Sequence, residues 1–339
     1  MKSSHRIHAS LALACVVLPL LFLAAQQPAA QPKTHGIAVN NMDKSVAPGD
    51  DFYDYANGGF LKRTQIPPDR PNVGVFSQLS DISNKRTADL IQEMAKSKAA
   101  PGSSAQQIAD LYNSFLDEAT IEARGLAPLK PHLDAINSVK DTKELSRALG
   151  ETLRADVDAL NNTNFHTPNL FGLWTAPGFA DSDHYTAYFM QGGLELPNRE
   201  YYLGDSRHMK EVREGYQKHI AEMFKLAGIG DGEARAARIV ELEHSIAEKH
   251  WSLADNNDIH KANNPWKKAD FAAKAPGLDW AEYFLAAGLD KQEELTVWQP
   301  SAIIAESALV GSVPLETWKD WLTYHLIEDY SNVLPKALA

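Results

Sequence analysis

The sequence predicts a mainly α fold with minor β content, on three observations. Apolar residues recur at three- to four-residue steps over much of the chain from Phe76 onward, the spacing of one helix face. Two short runs, 171–175 and 185–190, are rich in aromatic and β-branched residues and flank Pro177-Gly178, which reads as a small hairpin. No segment alternates strands with helices in the manner of a parallel sheet, and no internal repeat stands out.

Each element follows from local chemistry. Residues 26–49 form a polar linker, irregular from Lys33 to Gly49. Residues 51–67 read DFYDYANGGFLKRTQIP. The aromatics Phe52, Tyr53 and Tyr55 suggest a short helix stopped by Asn57-Gly58-Gly59, since Gly accepts a positive φ at a helix end. Ile66-Pro67-Pro68 then forces an extended exit. Phe76, Leu79, Ile82, Leu90, Ile91 and Met94 mark the next helix. Pro101-Gly102-Ser103-Ser104 breaks it and caps another, striped by Ile108, Leu111, Tyr112, Phe115 and Leu116. A third spans 142–160, with Glu144 near capping-box spacing from an Asn or Asp one turn earlier. Residues 161–164 are a loop before the hairpin. Helices follow at about 207–228 and 233–252, divided by Gly228-Ile229-Gly230-Asp231-Gly232. Beyond Trp266 come a Pro276-Gly277 turn, a helix near 279–287, an apolar stretch at 295–305 and a last helix from Pro314.

The first 25 residues are laid out as a secretory signal peptide. Lys2 and Arg6 form a positive start, an almost unbroken apolar run follows, and it ends in small residues. An uncleaved membrane anchor is the alternative, although the run is slightly short for a span and Pro19 interrupts it. Export to the periplasm or the extracellular space is therefore expected. Cys15, the one cysteine, lies inside this run, so the mature chain has neither disulfides nor a thiol nucleophile. The whole chain has 33 Lys and Arg against 44 Asp and Glu, a net charge of −11. Without Lys2 and Arg6 the count is 31 against 44, or −13. An acidic chain without a basic run is a poor partner for phosphate backbones, so nucleic acid is not expected.

No self-sufficient active site is legible. H-E-x-x-H, which aims two imidazoles at one zinc, is absent. The nearest pair, His244 and His250, are six residues apart, so on a helix their rings point about 120° apart around the axis. Glu243 and Glu248 beside them read as a solvated helix face. There is no G-x-S-x-G elbow and no phosphate-binding glycine loop. The acids Asp50, Asp51 and Asp54 lack the alternation and closing Glu of a calcium loop. Catalytic residues and metal ligands are therefore assigned to none.

Six blocks in order carry a family resemblance. D-F-Y-x-Y-A-x-G-G-F-L-K…I-P at 51–67 is followed by Gly74 and Phe76 at the expected distance. Tyr112-Asn113-Ser114 precedes Ile121-Glu122-Ala123-Arg124-Gly125. Gly193-Leu194-Glu195-Leu196-Pro197-Asn198-Arg199-Glu200-Tyr201-Tyr202 is the second strongest block. Leu242-Glu243 with Ala247, His250 and Trp251, then Val313-Pro314-Leu315-Glu316-Thr317-Trp318-Lys319-Asp320-Trp321, complete the set. Together they resemble the M13 family of neprilysin-type, PepO-like zinc metalloendopeptidases, in their N-terminal portion.

That resemblance implies a multi-helix N-terminal domain at 50–339, part of a two-lobed enzyme that encloses a peptide-admitting chamber. The family's N-A-[YF]-Y motif, H-E-x-x-H and third zinc ligand lie in a C-terminal catalytic lobe absent from residues 1–339. Zinc and peptide substrates are thus expected of the full-length enzyme, and no cofactor of this chain alone. The aromatics Phe52, Tyr53, Tyr55, Tyr201, Tyr202, Trp251 and Trp318 are expected to pack in a core or interface. Where members often place an Arg for the substrate's C-terminal end, this chain has Asn72. Arg70 stands nearby as a substitute, so both are candidate substrate-binding residues. After the His250-Trp251 helix, Asn257-Asp258 and Asn263-Asn264 replace the family's usual R-D and Y-N, and Asn57 and Phe115 stand where related animal ectopeptidases place Cys. An exported non-catalytic binding or pseudo-enzyme module is the alternative function.

Overall fold

The glycine pair at 58–59 lies inside a helix rather than at its end. In the computed structural model, which describes residues 36–339, α1 runs Phe52–Arg63. Asp51 caps it by accepting from the Asp54 amide at 2.8 Å. It ends at Thr64, just ahead of Ile66-Pro67. The glycines serve close approach instead. A Cβ at Gly58 would meet the Asp43 Cβ at 2.8 Å, and one at Gly59 would meet the Met42 carbonyl oxygen at 2.8 Å. The preceding segment, with a 3₁₀ turn at Val39–Asn41, therefore lies directly on α1. The Asp43 amide donates to the Tyr55 carbonyl at 2.8 Å, and Arg63 donates to the Asn40 carbonyl at 2.7 Å. Lys62 and Ser45 hold the Asp43 carboxyl down at about 2. Phe52 and Tyr53 remain exposed. The signal-peptide assignment and Cys15 lie outside the described residues.

Two units divide the chain, one up to Glu93 and the other Met94–Ala339. Helix α2 (Val75–Lys96) closes the first, and its apolar stripe of Val75, Phe76, Leu79, Ile82 and Leu90 is exposed. The second opens with α3 (Ser104–Leu116), which Ser103 caps as expected. Short helices α4 (Glu118–Arg124) and α5 (Lys130–Ser138) follow, then α6 (Thr142–Leu153). Asp141 caps α6, and Glu144 reaches back to the Lys140 amide at 2.9 Å. This helix ends seven residues short of 160 because Arg154 turns left-handed (φ 45°).

The hairpin exists and is half of a larger sheet. Strands β1 (Phe171–Pro177) and β2 (Tyr185–Gln191) pair antiparallel, with Phe171 opposite Gln191. After β2 come α7 (Arg199–Leu203), α8 (Arg207–Leu226), α9 (Gly232–Lys249), α10 (Leu253–Asn256) and α11 (Ile259–Ala262). Then follow β3 (Asn264–Lys267), α12 (Phe271–Lys274), α13 (Trp280–Ala286), β4 (Glu294–Val297), α14 (Pro300–Ser312) and α15 (Leu315–Asp329). Strand order is β1-β2-β4-β3, with β4 parallel to β2 and antiparallel to β3. The apolar stretch at 295–305 thus splits: its first three residues complete β4, and Pro300 opens a helix at the position where its missing N–H costs nothing. Side chains alternate across the sheet. Phe171, Leu173, Phe189, Leu295 and Val297 enter the main core, where Phe189 and Phe271 pack around Trp280. Tyr188, Met190 and Trp298 form a second aromatic cluster on the opposite face.

A buried carboxylate organises the helical part. Glu243 on α9 is fully buried, where the sequence suggests a solvated face. The reason is its donors: Tyr202 at 2.7 Å, Tyr216 at 3.1 Å, Trp321 Nε1 at 3.2 Å and His325 Nε2 at 3.1 Å. On its other side His325 Nδ1 lies 3.3 Å from the Glu195 carboxylate. Asp320, also fully buried, pairs with Arg235 and Arg238 and locks α15 to α9. Burial alone would push His325 down, but Glu195 and Glu243 outweigh it and raise the imidazole to about 9. Glu195 is drawn the other way: burial raises it, and His325 more than compensates, leaving it below its ordinary range.

Two expectations follow. Gly59→Ala gains about 1 kcal/mol of helix propensity, but a clash with backbone costs about 1–3 kcal/mol. Hydrogen exchange at the Asp43 amide should therefore accelerate, and unchanged protection would refute the close-approach reading. His325 is raised above its unfolded value, so its stabilisation is complete below about pH 6.5 and fades as pH climbs through about 9. That corresponds to about 3 kcal/mol at most. The thermal midpoint should fall between pH 7 and 10 in the native chain, with a markedly flatter profile in His325→Gln.

Candidate functional site

The strongest sequence block after 51–67 becomes a loop pinned at every turn. Leaving β2, the chain passes Gly193 in the left-handed region (φ 82°) and bends through 195–198 to Asn198, which caps α7 by accepting from the Glu200 amide. His250 Nε2 is 2.9 Å from the Gly192 carbonyl, and His166 Nε2 is 3.2 Å from the Glu195 carbonyl. The Gly193 amide donates to the Thr167 carbonyl at 3.1 Å, and the Leu196 amide to the Tyr202 hydroxyl at 2.9 Å. Gln191 links this loop to the end of α9 by accepting from the Trp251 amide at 2.8 Å. Its own amide donates to Gln299, whose Nε2 donates to Asn256 at 3.0 Å.

Between this loop, residues 164–167 and residues 250–256 lies a cavity of about 160 Å³. Phe165 at its edge adopts φ 58°, a conformation that costs a bulky residue strain and marks a backbone held by its surroundings. Phe165 and Trp251 supply apolar wall, and His166, Arg199 and Asn256 supply polar groups. Arg199 Nε donates to the Ala247 carbonyl at 3.3 Å, and Nη1 to Glu200 at 3.2 Å. Behind His250, 3.3 Å from its Nε2, sits Glu306. That imidazole N–H is already directed at Gly192, and neither Glu306 oxygen has a hydrogen-bond partner among the described residues. Burial pushes the Glu306 carboxyl up, opposed by His250.

Of the histidine pair singled out from sequence, His250 lines this cavity and His244 does not. Arg70 is half-buried and paired with Asp81 at 3.0 Å and Asp69 at 3.5 Å; Asn72 is exposed. His244 stays on α9, whereas His250 caps the helix end and faces Gly192. They do not fit a shared zinc ion, and no group of three metal-ligating side chains occurs among the described residues. Glu248 is exposed and Glu243 is consumed by its donors. Sequence reasoning missed Arg199 and His166 as lining residues, though Arg199 stands within the block it had singled out.

Comparison with known proteins agrees with this architecture. The family model described as "Peptidase family M13" matches residues 48–339. Endothelin-converting enzyme 1 of Rattus norvegicus is 23% identical over 304 residues, which cover 87% of this chain and 39% of that protein. Endothelin-converting enzyme-like 1 of Homo sapiens is 24% identical over 296 residues, covering 85% and 38%. The crystal structure of Mycobacterium tuberculosis zinc metalloprotease Zmp1 with an inhibitor superposes with a TM-score of 0.76 at 34% identity, covering 89% of this chain and 45% of that one. PepO from Lactobacillus rhamnosis, at 18% identity and a TM-score of 0.59, shares the fold. The chain spans less than half the length of these relatives. Its ordered motifs, mainly helical fold and family match place the chain in peptidase family M13, as an N-terminal portion of a neprilysin-type metallopeptidase.

Proposed function

We propose that this chain is the chamber-forming N-terminal part of an exported zinc endopeptidase that cleaves peptides, and that it is inactive without a catalytic half. One observation carries the reading. On α3, Leu111, Phe115 and Leu116 are exposed at 73%, 52% and 53%, on a stripe whose periodicity predicts burial. An apolar helix face of this kind marks a surface that another body covers. The short coverage of every relative compared supplies a candidate for that body, the family's zinc-bearing lobe. The exposed stripe on α2 has the same character. In this reading Arg70 and Asn72 face the substrate's C-terminal end. Arg70 would have to exchange its aspartates for the peptide carboxylate, and Asn72 can offer no charged fork.

Within such an enzyme the zinc would activate a water for peptide hydrolysis, with every ligand supplied from outside this chain. In this reading the described residues enclose and position, and proton transfer to the peptide bond falls to the catalytic half. An exported binding module that retains the enclosing lobe alone is the second reading, favoured by the cleft beside Arg199.

The purified chain should bind no stoichiometric zinc and turn over no peptide, and chelator-sensitive hydrolysis by it would overturn the proposal. Leu111→Glu with Phe115→Glu should reduce self-association of the isolated chain in sedimentation, with little loss of thermal stability because both positions are exposed. If the double variant instead unfolds, the α3 face belongs to this chain's own core.

A further inference from the structure

We propose that the cavity between the 192–199 loop and the 250–256 segment is a binding site for a small carboxylate, anchored by Arg199. It lies wholly within the second unit and does not depend on the catalytic half. The guanidinium has five N–H donors. Nε holds the Ala247 carbonyl and Nη1 holds Glu200, which fixes the group while leaving three N–H bonds without a partner among the described residues. The side chain is 26% exposed, so the anchor is preorganised yet reachable. Glu200, 60% exposed, is a weakly held competitor on the surface side.

Charge and size select the ligand. Of the acids nearby, Asp255 is matched by Lys261 at 2.6 Å and Glu306 is sealed behind His250. One guanidinium fork is then available, which suits a single carboxylate; a phosphate dianion would face Glu200 with only one partner. Phe165 and Trp251 offer apolar contact beside it. A volume of about 160 Å³ falls below the roughly 300–1,000 Å³ of sites for drug-sized ligands. It matches one amino-acid-sized group, either a free small acid or the terminal residue of a peptide.

The test is a ligand-observed NMR titration of the full chain with N-acetyl-valine, its uncharged amide, and a tetrapeptide with a free or amidated C-terminus. N-acetyl-valine should bind saturably, with a Kd on the order of millimolar for so small a ligand. The amide should bind about tenfold more weakly, the loss of one charge-assisted contact. Arg199→Gln should abolish binding, whereas Glu200→Gln should strengthen it about threefold by freeing the fork. If Arg199→Gln fails to fold, the exposed Glu200→Gln substitution still decides the matter. Equal affinity for acid and amide, or no gain in Glu200→Gln, would overturn the assignment, as would absence of saturable binding. Binding by the free tetrapeptide as well assigns the site to peptide ends, and binding by N-acetyl-valine alone assigns it to free acids.

Discussion

A carboxylate removed from water needs donors on its lone pairs, and Glu243 draws them from three other helices at once. Tyr202 comes from α7, Tyr216 from α8, and Trp321 and His325 from α15. Removing one partner of such a centre leaves a buried charge uncompensated, which costs far more than the net worth of the contacts. The arrangement therefore specifies how the helices meet. Any other packing of α8, α9 and α15 would strand the carboxylate. Asp320, fully buried between Arg235 and Arg238, imposes a second constraint on the same pair of helices.

From that centre the order extends to the cleft. His325 bridges Glu243 and Glu195, and Glu195 belongs to the loop in which His166 holds the Glu195 carbonyl and His250 holds the Gly192 carbonyl at its start. Tyr202 donates to Glu243 and accepts from the Leu196 amide, so one phenol joins the helical core to the cleft wall. The loop is held at four backbone groups, the Gly192 and Glu195 carbonyls and the Gly193 and Leu196 amides, each engaged by a residue outside it or on the following helix. Such stiffness is what a small site needs, since ordering a wall upon binding would consume most of a weak ligand's affinity.

Much of this was legible in the residues. Caps at Ser103 and Asp141, the strands on either side of Pro177-Gly178, and the long amphipathic helices all follow local rules that tertiary structure did not override. The failures share a cause: each depended on a partner distant in the chain. Gly58-Gly59 looks like a helix stop until Met42 and Asp43 are laid against it. Glu243 looks solvated because nothing within its own helix reveals Tyr202 or His325. Strands β3 and β4, four residues each, are too short to show a period and exist only by pairing with one another and with β2. The cleft was the least legible feature, since its polar groups come from three separate segments, and nothing in the blocks that hold Asn198, Arg199, Glu200 and His250 shows that they meet His166 and Asn256.

The parallel pairing of β2 with β4 sets a timetable for making this protein. Tyr188 and Thr296 are neighbours in the sheet, so the sheet cannot close until more than a hundred further residues have followed β2. The β1–β2 ribbon can form on its own during synthesis, but an isolated ribbon is marginal and its β2 edge is a row of open hydrogen-bonding groups. Contacts of such long sequence separation pay loop closure before they gain anything. A chain emerging at about 5–20 residues per second therefore carries that open edge for several seconds. During this interval the segment is exposed to mispairing, and β4 ends it by occupying the edge.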